Sequence, residues 1–373
     1  MARKKEKKFN AGIAVLLAVC CLAVGVAGGY YGIITSSQPT ETEIYSAGSL
    51  KIHFLELGNK YTGDCTYIKA GDTDILIDAG SRTSSIPTIS AYLDRFVTDR
   101  KLEYVIVTHA HQDHYAGFAT NIGEDSLFDL YECGTIIDFA MTNQEQNADK
   151  DGDGFGENMY SDYLRERADE VAKGATHYTA AQCIQESKNE FALSDTATLT
   201  ILDQKFYYEE AETENDYSVC ALITEGADSF LFTGDLEKDG EESLVERNSL
   251  PQVSVYKAGH HGSKTSSHDV LLDVIKPSIV CVCCCAGSSE YTDKQENQFP
   301  TQDFIDRVSK HTDAVYVTTL CTDYDNDEYT SMNGNIVISY AFGSILVECS
   351  ASDTKLKDTA WFKANRTVPD SWK

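Results

Sequence analysis

The chain has 373 residues, of which 42% are hydrophobic, so it can bury the core of one large α/β domain or of two smaller ones. It carries 31 Lys and Arg residues against 59 Asp and Glu residues, a formal net charge of −28. An acidic surface repels phosphate backbones at long range, which disfavours a broad nucleic-acid groove but still allows a local basic pocket. Solubility alone also explains such an acidic excess.

The N-terminus combines a basic flank with a long uncharged segment. Five Lys and Arg residues lie within the first eight positions, and the uncharged segment runs from about Asn10 to Thr35. This pattern is typical of a signal peptide or a signal anchor, and its length favours a retained anchor. We expect a cytosolic stub (1–10), a transmembrane segment (11–35) and a polar linker (36–48).

The predicted topology places the rest of the chain outside the cytosol, held at the cell membrane by a single span, or secreted if the signal is cleaved. The first 35 residues hold five basic residues and one acidic residue, which leaves 26 basic and 58 acidic residues and a net charge of −32 for the exported part.

Short strands alternate with helices from residue 49 onward. The predicted strands are 51–57, 65–69, 74–78, 104–107, 135–139, 198–202, 218–224, 229–233, 253–256, 279–282, 315–318 and 335–340. The predicted helices are 88–96, 160–173, 239–247, 267–275 and 301–309. This alternation predicts a layered α/β domain (49–349) with a site along a sheet edge, a polar helical insert (about 123–189) and a C-terminal tail (350–373).

Five of the nine histidines lie in two short segments, each after a predicted strand. The first segment holds His109, His111, Asp113 and His114, and the second holds His260 and His261. Imidazole and carboxylate groups are ligands of borderline and hard divalent metals, and an irregular turn can bring them to one point. The pattern therefore predicts a metal site at the strand ends.

A cysteine-rich run, Cys281–Cys285, lies in an apolar strand pattern. Adjacent residues of a strand point to opposite faces, so these cysteines cannot jointly hold one metal, and we expect them to be small buried residues. An exported location would permit disulfides, but the sequence does not determine their pairing.

The spacing His-x-His-x-Asp-His at 109–114, with Asp78-Ala79-Gly80 before it and Thr233-Gly234-Asp235 after it, resembles the metallo-β-lactamase superfamily. Further motifs occur in the order of one branch, at 54–58, 63–64, 76–80, 215–219, 231–235 and 257–263. That branch holds the hydrolase domain of competence DNA-uptake (ComEC-type) proteins and the bacterial phosphorylcholine esterases. The resemblance covers about residues 50–345 and implies a four-layer αββα sandwich with a helical insert, behind the N-terminal transmembrane segment.

The resemblance also implies two divalent metals, with zinc favoured and manganese or iron as alternatives. The implied metal ligands are His109 and His111 at one metal, Asp113, His114 and His261 at the other, and Asp235 between them. Asp113 and His260 are the implied catalytic residues, and the opposite assignment of His260 and His261 stays open. Asp78 either supports a motif histidine by accepting a hydrogen bond or caps the loop after its strand.

The sequence departs from the superfamily pattern at the first metal. A further histidine commonly lies between the two motifs, and here the only one from 115 to 234 is His177, which we expect to be exposed in the polar insert. Asp203 is a weaker substitute. Occupancy of the first metal is therefore open.

Two other segments carry candidate contacts. Lys264, Thr265 and Ser266 follow the second histidine cluster and would either contact an anionic substrate group or form a simple helix N-terminus. Asp149, Asp151, Asp153 and Glu157 match the first half of a calcium loop. Tyr160 stands where that loop needs its bidentate Glu, so either a weak calcium site or a solvated acidic turn is expected.

The leading hypothesis is a membrane-anchored, extracytoplasmic dinuclear metal-dependent hydrolase. It would use a metal-bridging hydroxide to cleave phosphodiesters or phosphorylated surface polymers. One alternative is a DNA nuclease of the competence type, which the acidic charge disfavours. Another is a non-catalytic, metal-stabilised binding protein.

Overall fold

Two eight-stranded sheets form the centre of the computed structural model, which describes residues 50–120, 124–150, 152–341 and 343–373. The strands of the first sheet are β1 (Leu50–Phe54), β2 (Thr66–Ala70), β3 (Thr73–Ile77), β4 (Lys101–Val107), β5 (Glu132–Asp138), β6 (Thr176–Thr179), β15 (Ile336–Ala341) and β16 (Ser344–Cys349). Those of the second sheet are β7 (Glu190–Ala192), β8 (Ala197–Ile201), β9 (Ala221–Glu225), β10 (Asp228–Phe232), β11 (Val255–Lys257), β12 (Ile279–Ala286), β13 (Val315–Asp323) and β14 (Glu328–Ser331).

Both sheets are mixed. The first has the order β16-β15-β1-β2-β3-β4-β5-β6, and its neighbours from β3 to β6 are parallel. The second has the order β14-β13-β12-β11-β10-β9-β8-β7, and its neighbours from β10 to β13 are parallel. Parallel neighbours end at the same edge of a sheet, which is where loops can place several side chains together.

The two sheets pack face to face. Phe54 of β1 lies with its ring centroid 6.3 Å from that of Phe232 in β10, and Phe230 lies 6.2 Å from Tyr340 of β15. His53 points to the opposite side of the first sheet, because successive side chains of a strand alternate between faces. Its ring lies 5.7 Å from that of Tyr92, whose helix therefore covers the outer face.

Nine short α-helices accompany the sheets within the described residues. They are α1 (Ile86–Leu93), α2 (Gln112–Tyr115), α3 (Leu127–Leu130), α4 (Met159–Lys173), α5 (Ala180–Gln185), α6 (Lys238–Arg247), α7 (Asp269–Ile275), α8 (Gln302–Val308) and α9 (Ala360–Asn365). Helix α4 begins where the Asn158 side chain accepts a hydrogen bond from Ser161 N, and it ends at Gly174, whose φ of 128° suits glycine.

Strand β12 shows how the second sheet is buried on both faces. Cys281 and Cys283 belong to the core that includes the space between the sheets, whereas Val280, Val282 and Cys284 pack in a second core with helices α6, α7 and α8. All five residues are buried, so the predicted burial of this cysteine-rich strand, and the alternation of its faces, are confirmed. The described cysteines form no disulfide.

Two segments predicted as an insert and a tail contribute to the domain itself. Within 123–189, β5 matches the predicted strand 135–139, and β6 is a further strand that extends the first sheet. The segment 350–373 is not a free tail, because Leu356, Phe362 and Trp372 are buried in the second core. Ser49–Lys373 accordingly forms one compact unit.

The predicted stub, transmembrane segment and linker lie outside the described residues. Among the residues that are described, no helix is both long enough and apolar enough to cross a bilayer.

Candidate metal centre

The candidate metal ligands lie just beyond the ends of two pairs of parallel strands. In the first sheet, Asp78 follows β3 and the segment 109–114 follows β4; in the second sheet, Asp235 follows β10 and the His260-His261 pair follows β11. β3 and β4 are parallel neighbours, as are β10 and β11. Face-to-face packing of the sheets brings these four chain segments to one edge.

Close backbone contacts hold the loops of the first sheet in place. Asp64 N donates to Asp113 O at 3.0 Å, and Gly80 N donates to Asp64 O at 2.9 Å. A Cβ atom on Gly80 would lie 1.6 Å from Asp113 O, so only glycine fits here. The Asp-Ala-Gly motif therefore sets the position of the loop that carries Asp113.

His114 and His261 converge on the carboxylate of Asp235. The Nε2 atoms of both histidines lie 3.2 Å from Asp235 Oδ2, and His261 Nε2 lies 3.3 Å from Asp113 Oδ2. The side chains of His114, His261 and Asp235 are at most 2% exposed. Neither Nε2 atom has a hydrogen-bond partner of good geometry, and nor does Asp235 Oδ1.

The opposite ring nitrogens of the two histidines are held by acceptors. His114 Nδ1 lies 2.8 Å from Asp78 Oδ2, and His261 Nδ1 lies 2.9 Å from the carbonyl oxygen of Cys283. Both acceptors favour the tautomer protonated at Nδ1, which leaves the Nε2 lone pair free. Asp78 is itself fixed by the backbone N–H and the hydroxyl of Thr108, at 2.7 and 2.8 Å.

His109 and His111 lie beside this group. His109 Nε2 is 3.0 Å from His111 Nδ1, and the ring centroid of His109 is 4.2 Å from that of His114. Burial lowers the pKa of His109 well below its ordinary value, which favours the neutral imidazole that binds metals. Glu214 supports the same turn by accepting a hydrogen bond from Ala110 N at 3.0 Å.

His260 lies farther from Asp235 than His261 does. Its Nε2 is 4.0 Å from Asp235 Oδ2, its side chain is 21% exposed, and its Nδ1 contacts the hydroxyl of Thr265 at 2.9 Å. Both histidines have positive φ angles, 45° and 55°, a strained conformation for residues other than glycine. The turn thus points the His261 ring into the buried group and leaves the His260 ring at the margin of that group.

Neither His177 nor Asp203 joins the cluster. His177 is not exposed as expected: it is half-buried, and its Nε2 lies 2.8 Å from Oδ1 of the buried Asp138, which also pairs with Arg167. Asp203 pairs instead with Arg247 at 3.1 Å. Within the described residues, the segment 115–234 therefore supplies no further histidine beside His109 and His111.

Two of the three candidate substrate contacts line a surface cavity, and the third lies in the core. Lys264 and Thr265 line a cavity of about 500 Å³ together with Lys205, Lys238 and Glu237. Ser266 does not line this cavity, because it is fully buried and donates to Leu236 O at 2.6 Å. The cavity adjoins the metal cluster through Glu237, whose Oε1 accepts a hydrogen bond from Thr265 and lies 3.4 Å from His260 Nδ1.

The candidate calcium loop is an exposed turn stabilised by its own backbone. Asp149 accepts hydrogen bonds from Gly152 N and Gly154 N, and Glu157 accepts one from Lys150 N. Asp153 accepts a hydrogen bond from Phe155 N, and Asp151 lies outside the described residues. These contacts account for the turn, and calcium binding stays a prediction.

The motif pattern did not identify three residues that contact the cluster. Asp64 lies 3.1 Å from His261 Nδ1, Lys257 pairs with Asp64, and the Tyr291 hydroxyl lies 2.6 Å from Asp113 Oδ2. Asp64 and Lys257 lie within the motifs at 63–64 and 257–263, so the sequence offered a charged residue as a signal at both positions. Tyr291 lies on the loop after β12, and no motif marks it.

The donor set suits a divalent cation. Asp64, His114, Asp235 and His261 are buried, and each offers one ligand atom within 4.8 Å of the others. Nitrogen and carboxylate donors of this kind bind zinc, manganese and iron.

Residues 58–120 match the family model described as "Metallo-beta-lactamase superfamily". The resemblance predicted from the motifs is confirmed. The matched segment includes Asp64, Asp78 and the histidine motif at 109–114.

Curated relatives are competence and recombination proteins. Recombination protein 2 of Haemophilus influenzae is 29% identical over 127 residues, which is 34% of this chain and 14% of that protein. Competence protein ComA of Neisseria gonorrhoeae is 37% identical over 101 residues, 26% of this chain and 13% of that protein. The similarity thus spans a small part of each relative.

Solved structures of the superfamily are distantly similar. The metallo-β-lactamase fold protein YhfI from Bacillus subtilis has a TM-score of 0.40 at 12% identity, covering 72% of this chain and 95% of that one. The short form of human tRNase Z has a TM-score of 0.33 at 13% identity, and the match covers 63% of this chain and 92% of that one.

Proposed function

We propose that this protein is a dinuclear metal-dependent hydrolase acting on phosphodiesters or phosphorylated surface polymers. The observation that supports this most is the buried convergence of His114 and His261 on Asp235, with Nε2 atoms that have no hydrogen-bond partner of good geometry. Buried polar atoms without partners are costly, and a divalent cation would satisfy them.

The ligands would divide between two metals, as the resemblance to the superfamily implies. Asp113, His114 and His261 would hold one cation, His109 and His111 would hold the other, and Asp235 would bridge them. His261 is preferred over His260 because its Nε2 is nearer to Asp235 Oδ2, at 3.2 Å against 4.0 Å. Bound divalent cations would activate a water molecule and polarise a phosphoryl oxygen.

The margin of the cluster offers groups for the substrate. His260 is partly exposed between the buried metal ligands and the cavity that Lys264 and Thr265 line. Its imidazole can donate a hydrogen bond to a phosphate oxygen, and the Lys264 ammonium adds a positive charge nearby. On the other side, the ring centroid of Phe299 lies 5.7 Å from that of His260 and 5.8 Å from that of His261.

Hydrolysis of DNA is the second candidate, favoured by the competence and recombination proteins among the relatives. The formal charge of −28 and the carboxylates of Glu210, Glu212 and Asp239 in the cavity wall oppose a long polyanion. A short phosphorylated group needs a smaller site and meets less repulsion. We therefore place DNA second.

Anchoring is proposed from the sequence alone. The basic flank and the uncharged segment up to Thr35 would hold the catalytic domain at the outer face of the cell membrane. Such a location suits a polymer substrate of the cell surface.

The test uses the full-length chain, its metal content by elemental analysis and its turnover of an aryl phosphodiester. We expect two metals per chain and hydrolysis that Asp235→Ala abolishes. Asp203→Ala is the matched control, since it removes a strand-end carboxylate outside the cluster. Unchanged turnover in Asp235→Ala, or a fully metallated wild type that cleaves no ester, would reject the hydrolase.

The second candidate needs one more comparison. We expect the wild type to cleave the aryl phosphodiester faster than single-stranded or duplex DNA. Faster cleavage of either DNA would favour the nuclease.

A further inference from the structure

A buried lysine lies behind the proposed metal ligands. Lys257, the last residue of β11, has a side chain that is 3% exposed. Its ammonium pairs with Asp64 Oδ2 and lies 3.8 Å from Asp235 Oδ1. Burying an ammonium costs free energy unless carboxylates compensate it, so Lys257 depends on these two carboxylates.

Asp64 and Asp235 lie on opposite ring edges of the same histidines. Asp64 approaches the Nδ1 atoms, at 3.1 Å from His261 and 3.8 Å from His114. Asp235 approaches the Nε2 atoms of both, at 3.2 Å. A cation held by the Nε2 lone pairs therefore lies on the side of Asp235, away from Asp64.

Lys257 brings a positive charge into a group that is rich in carboxylates. Four carboxylates, those of Asp64, Asp78, Asp113 and Asp235, are buried around His114 and His261. Among the described Lys and Arg residues, Lys257 is the one that is buried here and contacts two of them. The contacts with Asp64 and Asp235 compensate the buried ammonium of Lys257.

We propose that Lys257 is a positioning residue that neutralises Asp64, keeps it out of the metal-ligand set as a support behind His114 and His261, and sets the metal affinity of the centre through Asp235. This inference rests on the proposed function, because it requires that the cluster binds metal. It predicts effects of opposite sign for the two members of the pair.

Each single variant leaves one buried charge uncompensated. In Lys257→Met, the free Asp64 carboxylate attracts a cation, so the affinity for Mn²⁺ should rise at least tenfold. In Asp64→Asn, the Lys257 ammonium acts on Asp235 alone, so the affinity should fall at least tenfold. In the double variant both charges are gone, and the affinity should return to within about threefold of the wild type.

The experiment measures Mn²⁺ affinity of the full-length chain and its three variants by competition with a chelating dye, with circular dichroism as the check on folding. If the double variant binds Mn²⁺ as weakly as Asp64→Asn does, then Asp64 is a metal ligand and the proposal is overturned. A Lys257→Met protein that binds Mn²⁺ no more tightly than the wild type would do the same.

Two features keep the test decisive. If a single variant fails to fold, the uncharged double variant still decides whether Asp64 is a ligand. A wild type that binds no Mn²⁺, Zn²⁺ or Fe²⁺ would instead reject the proposed metallohydrolase itself.

Discussion

The Tyr291 hydroxyl donates a 2.6 Å hydrogen bond to Asp113 Oδ2, the oxygen that also lies 3.3 Å from His261 Nε2. Tyr291 is 54% exposed, so a surface residue reaches a buried carboxylate of the candidate metal centre. Its ring lies 5.7 Å from that of Phe299, which contacts both His260 and His261. The loop between β12 and α8 thus forms one wall of the site.

Tyr291→Phe keeps this wall and removes the donor. The metal-free protein should lose about 1–2 kcal/mol of unfolding free energy, because the hydrogen bond ends on a charged group. Urea denaturation measures this loss. Tyr329→Phe is the matched control, since its hydroxyl donates to the neutral carbonyl of Gly58 at 2.5 Å, and its loss should be smaller. Equal losses in the two variants would contradict a charge-assisted bond at Asp113.

Much of the fold follows from local patterns in the sequence. The runs that end in Asp78, in Val107 before the histidine motif and in Phe232 are apolar, and each forms a strand whose end carries a site residue. Strand β6 was missed, because Thr176–Thr179 is short and half-exposed. The burial of Phe362 and Trp372 was also missed, because a short helix far from the motifs packs only through tertiary contacts.

The site was predicted where motif and strand end coincide, and missed where contacts come from distant loops. Asp235 and His114 lie 121 positions apart; His114 was predicted from the histidine cluster after a strand, and Asp235 from the resemblance to the superfamily. Tyr291 lies in no motif and does not directly follow a predicted strand end. Asp64 and Lys257 lie within the quoted motifs, but their pairing depends on the packing of two sheets, which no local pattern encodes.

Gly80→Ala should disrupt the site through the backbone. The added Cβ would lie 1.6 Å from Asp113 O, so the loop must move, at an expected cost of about 3 kcal/mol or more and with loss of tight metal binding. Thermal unfolding and metal titration measure the two effects. The control is Gly152→Ala, where φ is +85° but no atom lies within 4 Å, so about 1 kcal/mol is expected. Similar effects in both variants would refute the close-contact explanation.

Asp78→Asn tests the tautomer of His114. The asparagine oxygen can still accept from Thr108 N, but its amide N–H group would face His114 Nδ1 and favour the tautomer protonated at Nε2. That tautomer has no lone pair for a metal, so we expect affinity to fall about 10- to 100-fold. Isothermal titration with Zn²⁺ measures the change, and an unchanged affinity would exclude this role of Asp78.

His53 should make the protein less stable in acid. Its side chain is buried with Nδ1 2.8 Å from the Tyr92 hydroxyl, and burial, with smaller effects of Lys51 and Arg95, lowers its pKa to about 3. The unfolded imidazole binds its proton near the ordinary pKa of 6.5, so between these values the unfolded state binds more protons. The unfolding free energy therefore rises with pH across this window and falls as the pH drops from about 6.5 towards 3.

His53→Gln removes this proton uptake while keeping a polar side chain beside Tyr92. Between about pH 8 and pH 5, the wild type should lose about 2 kcal/mol more unfolding free energy than the variant. Urea unfolding of the chelator-treated proteins at several pH values measures the two slopes without a contribution from metal binding. Identical slopes would mean that His53 is protonated in the folded protein at pH 5, which its burial beneath α1 and the nearby Lys51 and Arg95 charges oppose.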